Sequence, residues 1–167
     1  GEYVWHTLIE FGGPRSLNDA TVDDLGNVYL AGTQRSGIEV QGNSISGVSS
    51  SNRHFIIKLN SDGVFQWHSG TEFGVSTCAA IDWGDSKLGF AIAFNDSVQV
   101  DSQTFHITNQ TMASSFDMIV GALDGNGNMI TVRTLAGSGS ISVDEMAVTP
   151  TALVFQGRSE EELIVHG

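Results

Sequence analysis

The sequence predicts an all-β protein assembled from repeats of four short antiparallel strands, and three observations carry that expectation. First, Trp5-His6-Thr7-Leu8-Ile9-Glu10-Phe11-Gly12 returns as Trp67-His68-Ser69-Gly70-Thr71-Glu72-Phe73-Gly74, with Trp, His, Glu, Phe and Gly matching 62 positions later. A period of several tens of residues means that each copy is one supersecondary unit stacked on its neighbours. Second, short apolar and β-branched runs are divided by Gly, Asn, Asp and Ser clusters, the signature of strands and turns. Third, no long window places apolar residues at helical spacing behind a cap, so no α-helix is expected.

In chain order, the first full copy should contain a strand around Ala20 to Val22, a turn, and a strand from Val28 to Thr33. A polar loop with its own small hairpin follows, then a strand from Phe55 to Leu59, a tight turn, and a strand from Val64 to His68. The turns Leu25-Gly26-Asn27, Ser61-Asp62-Gly63 and Asn126-Gly127-Asn128 put Gly or Asn where a hairpin demands positive φ. A second series repeats the third and fourth strands: Phe55-Ile56-Ile57-Lys58-Leu59 corresponds to Ile119-Val120-Gly121-Ala122-Leu123. A third series has three members. Val28 to Gly32, Gly89 to Ala93 and Leu153 to Gly157 each precede an alternating segment, Ile38-Glu39-Val40, Val98-Gln99-Val100 and Leu163-Ile164-Val165.

Four-stranded units repeated around an axis describe β-propeller blades. The boundaries then fall at residues 1–13 (last strand of a preceding blade), 14–75 and 76–139 (whole blades), and 140–167 (first half of a further blade). Such an incomplete ring, about two full blades plus two partial ones, would need strand partners, either further blades of a longer chain or other copies of this one.

The run Val22-Asp23-Asp24-Leu25-Gly26-Asn27-Val28-Tyr29-Leu30-Ala31-Gly32, then Phe55 to Gly63, then Trp67, resembles the SBBP-type β-propeller repeat family. The second copy departs from that pattern where Asp82-Trp83-Gly84-Asp85-Ser86-Lys87 replaces the Asp-Leu-Gly-Asn turn. The resemblance implies a blade fold and a scaffold or interaction role of the kind such repeats serve in secreted, cell-surface and some viral structural proteins.

Composition narrows the classes of partner. Seven Lys plus Arg against nineteen Asp plus Glu give a net charge of −12, which argues against polyanion binding and against anionic lipid. No apolar run approaches the ~20 residues of a membrane-spanning helix. Cys78 is the single cysteine, so no intrachain disulfide forms, and a buried structural thiol is expected.

Two candidate sites emerge. Trp83, flanked by Asp82 and Asp85, could form a platform for a sugar ring, with the acids accepting hydroxyl hydrogen bonds; the alternative is that the indole folds back between blades. Asp124, Asn126 and Asn128 space three oxygen-bearing side chains at alternate positions, which would suit weak Ca²⁺ binding, or else form a plain hairpin turn. Recurring Trp5, Trp67, His6 and His68 read as packing residues, while His54, His106 and His166 are dispersed. Asn95-Asp96-Ser97 and Asn109-Gln110-Thr111 fit the glycosylation pattern, and Ser159 to Glu162 reads as a solvated turn. No catalytic residue can be named. The expected function is therefore a non-enzymatic extracellular, cell-surface or virion scaffold that binds a protein or glycan. The alternatives are a structural subunit completed by neighbouring chains, or a propeller-based glycan hydrolase or lyase.

Overall fold

A computed structural model describes residues 4–13, 15–45, 51–70, 75–95, 97–100, 103–106, 116–136, 141–159 and 164–166. The described residues are all β, with no helix, and none of the sheets closes on itself. Every strand pair is antiparallel.

The first sheet joins β2 (Arg15–Val22), β3 (Val28–Gln34), β6 (Arg53–Leu59) and β7 (Phe65–Gly70), in that order. The second repeats the plan with β8 (Val75–Gly84), β9 (Lys87–Asn95), β12 (Asp117–Asp124) and β13 (Met129–Ala136). The third begins in the same way with β14 (Ile141–Val148) and β15 (Leu153–Ser159). Each opening strand carries a bulge at one equivalent place, at Asn18, Ala79 and Asp144. The opening strand of the first copy thus starts at Arg15, earlier than expected. Its exposed polar half gives no alternation to read.

The turns follow the expected chemistry. Gly26, Gly63 and Gly127 all have positive φ, the region open to glycine because it lacks a Cβ. In each turn an Asx side chain at the first position closes the backbone. Asp23 Oδ1 accepts the N–H of Leu25 and Asn27, Asn60 Oδ1 those of Asp62 and Val64, and Asp124 Oδ1 those of Asn126 and Asn128.

Between the copies run small added strands: β1 (Ile9–Phe11) pairs with β4 (Ile38–Val40), which pairs with β5 (Asn43–Ile45). In the second copy β10 (Ser97–Val100) and β11 (Gln103–His106) form the hairpin, and β16 (Ile164–His166) lies against the end of β13 as β4 lies against β1. The last strand of one copy therefore reaches the hairpin of the next.

The sheets stack face to face in chain order, with apolar layers between them. Phe55, Ile57 and Leu59 of β6 turn toward Ile38, Val40 and Ile45, while Ile56 turns the other way to join Tyr29, Phe90, Ile92 and Ile119. Burial on both faces explains the consecutive apolar residues Phe55, Ile56 and Ile57 in β6. The layer between the second and third sheets is built from Ala91, Met118, Val120, Ile141 and Val143. Cys78 lies in β8 opposite Ile92, and its side chain is outside the described set, as are Asn109 to Thr111 and Glu160 to Glu162.

Candidate functional site

Three places concentrate polar and aromatic groups, and all lie at junctions between consecutive sheets. The first is a cleft of about 430 Å³ where β2, β8 and β14 run side by side, lined in part by Asp19, Thr21, Asp82, Asp144 and Glu145. Because β8 and β14 are edge strands, their outward N–H groups need acceptors from elsewhere. Asp19 Oδ2 accepts the Ile81 N–H at 2.9 Å, Thr21 Oγ1 the Trp83 N–H at 3.3 Å, and Asp82 Oδ2 the Val148 N–H at 2.8 Å. The pairs Thr21 with Trp83 and Asp82 with Val148 occupy equivalent positions, so this is one latch used twice. Asp144 lies 3.5 Å from Arg158 on an open surface, where such a pair adds little. Among the described residues no group of three His, Cys, Asp or Glu side chains is arranged to hold a metal ion.

The second place is an aromatic set between the first and second sheets. Trp83 stacks on Tyr29 with ring centroids 5.0 Å apart and 14° between planes. One face of its indole is therefore covered by protein. Its neighbours point elsewhere: Asp82 turns to Val148, and Asp85, at φ 51°, pairs with Lys87 at 3.1 Å. Successive strand residues face opposite ways, so Asp82 and Trp83 do not share a surface. Beside this stack, Trp67 Nε1 and Lys58 Nζ both donate to the Gly125 carbonyl, at 3.0 and 2.7 Å. Trp5 repeats the gesture one copy earlier by donating to the Ser61 carbonyl at 2.7 Å. Both indoles lie on the positive-φ glycine of the turn they reach, Gly63 for Trp5 and Gly127 for Trp67. The recurrence of Trp thus has a packing cause.

Tyr29 is wholly buried and its hydroxyl donates to Asp23 Oδ2 at 3.2 Å. Burial, then the Asp23 charge and the hydrogen bond to it, push the phenol upward from its ordinary value. Burial works on Asp23 too and would raise it, yet hydrogen bonds from Asn27, Leu25 and Tyr29 outweigh this and hold the carboxyl below the usual range.

The third place is the turn at Asp124. Its Oδ2 accepts the Asn128 side-chain amide at 2.8 Å, and its Oδ1 takes two backbone N–H groups. These bonds, led by the Asn128 amide, lower its pKa. Asp124 is already employed in closing the turn, as Asp23 is in the equivalent turn of the first sheet. Asn126 contributes its backbone N–H, and Asn128 both its backbone N–H and its side-chain amide.

No protein-family model, curated protein or solved structure matches this chain. The reading of function therefore rests on the geometry itself.

Several important residues are not visible as a motif. Thr21 and Asp82 differ in type and become equivalent only once the bulges align the strands. Lys58 and Tyr29 sit inside the resemblance to the SBBP-type repeat, but nothing local says that they reach Gly125 and Trp83 of the next sheet. His54 is isolated in sequence and fully buried in space. Its ladder partner Thr33, which bonds Thr77 of the next sheet at 3.1 Å, is the one signal that a polar seam runs there.

Proposed function

We propose that this chain is a propeller-type repeat scaffold, each sheet a blade, whose third blade takes up a further strand at the β15 edge, supplied by a following stretch of the same polypeptide or by another chain. Sheets stacked in chain order support the blade reading, as do junction groups that recur with the repeat. The observation that carries the binding role is the edge of β15. In the first two sheets the second strand is covered by a third: β3 pairs with β6 over seven residues and β9 with β12 over eight. Among the described residues, β15 pairs with β14 only. A strand edge of this length is a template for an incoming strand.

The other two sheets suggest what fits. Gly157 stands where Gly32 stands, each held so close to the opening strand that an added Cβ would collide with a carbonyl oxygen, of Ser142 and Ser16 respectively. In the first sheet the Phe55 ring covers Gly32 from the third strand. The occupant of the β15 edge is accordingly an extended antiparallel segment of the β6 pattern, with a large apolar residue opposite Gly157. A protein ligand is favoured over a glycan, since the Trp83 indole already spends one face on Tyr29.

A labelled peptide with the sequence of residues 53–59 tests this reading. Saturable binding by fluorescence anisotropy is expected, weakened at least about tenfold by Val154→Lys, which places a charge on the exposed strand. Sedimentation in the same buffer separates peptide capture from self-pairing. No saturable binding, together with a strictly monomeric profile, would overturn the proposal.

A further inference from the structure

The junction between the first and second sheets contains one fully buried titratable side chain that no latch explains. His54 and Ser76 are both wholly inaccessible. Ser76 Oγ accepts the His54 backbone N–H at 3.1 Å and lies 3.0 Å from His54 Nδ1. The Ser76 N–H in turn donates to the Asn52 carbonyl at 2.9 Å, so β8 is tied to the start of β6 by three contacts in one place. The other ring nitrogen, Nε2, is buried without any hydrogen-bond partner. A neutral imidazole satisfies this arrangement with one nitrogen. An imidazolium has two N–H donors and a charge, and the site has no acceptor for the second.

Among the described residues, no charged group reaches the ring to compensate. The strands packed against it present Thr33 from β3, Ser76 and Thr77 from β8 and Ser69 from β7, none of them charged; the buried Asp117 of β12 faces the same layer, with Phe94 between it and Ser76 and about 10 Å between the two strands. Tyr29 and Lys58 share the face, but each stands four residues along its strand, roughly 13 Å away. Arg53 and His68 project from the opposite face, by strand alternation. Burial alone acts on the imidazole, and it depresses the pKa to about 3.

We propose that the His54–Ser76 contact is an acid-released clasp that holds the first and second sheets together while the imidazole is neutral and lets them part when it takes up a proton. Opening exposes the Asn52, His54 and Ser76 backbone groups and the apolar layer behind them. The clasp is independent of what the β15 edge binds.

Hydrogen exchange of the intact chain at pH 7.5 and 5.5, corrected for intrinsic rates, reads the clasp directly. Both pH values lie above the isoelectric point of about 4.5. A ring that titrates near 6.5 when open and near 3 when closed makes opening about tenfold more frequent at the lower pH. The His54 and Ser76 amides should lose protection by that factor, while the Leu30 and Ile57 amides inside the first sheet keep theirs. In His54→Gln, which cannot be protonated, the two reporter amides should show no such change. Constant protection of both amides in the unmodified chain would overturn the proposal, whether or not the variant folds. So would an equal loss in His54→Gln, or a loss shared by Leu30 and Ile57.

Discussion

Thr21 Oγ1 accepts the backbone N–H of Trp83, 62 residues further along the chain, and fixes the open edge of the second sheet to the first. One copy later Asp82 and Val148 make the same bond. The position requires only an acceptor aimed at an edge N–H, so a hydroxyl and a carboxylate serve equally. Thr21→Val keeps the shape and removes the acceptor, which should cost about 1–2 kcal/mol; Asp82→Ala should cost about 2–3 kcal/mol, because a charged acceptor makes the stronger bond. Urea unfolding with an unchanged slope measures both. Losses below about 0.5 kcal/mol for both would mean that the latch does not hold the sheets.

Trp67 and Lys58 donate to one carbonyl, that of Gly125, and should therefore be coupled. Trp67→Phe keeps the ring over Gly127 and loses the N–H, at about 1 kcal/mol, whereas Trp67→Ala should cost about 3–5 kcal/mol. In a double-mutant cycle of Trp67→Phe with Lys58→Met, the second change should cost more than it does alone, since it leaves the carbonyl unpaired. Strict additivity would show that the two donors act separately.

Gly32 and Gly157 have no room for a methyl group, because it would fall on the backbone of Ser16 or Ser142. Gly42 has positive φ but open space around it. Alanine at either crowded position should therefore destabilise by more than about 3 kcal/mol, and at Gly42 by only about 1–2 kcal/mol. Thermal melts of the three variants give the ranking, and a Gly42 variant worse than the other two would contradict it.

Asp23 carries a pH signature of known sign. Its folded pKa lies below the ordinary carboxyl value of 3.8, so its contribution to stability is present above that pH and is lost as pH falls through the folded value. Asp23→Asn sets an amide against the Asn27 amide and the Tyr29 hydroxyl, which should cost about 1–3 kcal/mol at pH 7. The gap to the unmodified chain should narrow below pH 3.8. A gap that stays constant down to pH 3 would place the cause elsewhere.

Asp124 gives a test for the cation reading of its turn. With both carboxylate oxygens already accepting hydrogen bonds, millimolar Ca²⁺ should leave the melting temperature unchanged. Asp124→Ala should lower it in the absence of any metal. A Ca²⁺-dependent rise that disappears in the variant would assign the cation to Asp124, Asn126 and Asn128 after all.

The turn glycines and the recurring Trp were legible in the sequence, because each is a residue type that its place demands. Only glycine tolerates the backbone at Gly63 and Gly127, and only a long indole reaches from β7 to the next turn. The strands from Val28 and Phe55 were legible for a related reason, since burial on both faces leaves little besides apolar residues. What stayed hidden depends on partners far apart in the chain. The bulges at Asn18, Ala79 and Asp144 impose no shared chemistry, so three unlike residues mark one structural position. Trp83 between two acids could be a platform or an indole folded back between blades, and its stacking partner Tyr29, on another sheet, has no local signal in the sequence. His54 looked dispersed because the hydroxyl that faces it belongs to the next repeat.

The added strands, the indoles and the latch acceptors all reach from one sheet to its immediate successor, which makes mechanical failure in this molecule a local event. A break at one junction should divide the chain into two bodies that each keep their own interior, much as a stack of plates parts at its weakest glue line. Stability would then be set by the poorest joint. At the joint between the second and third sheets the indole is missing, because Thr131 stands where Trp67 stands, and the Asp82–Val148 latch remains.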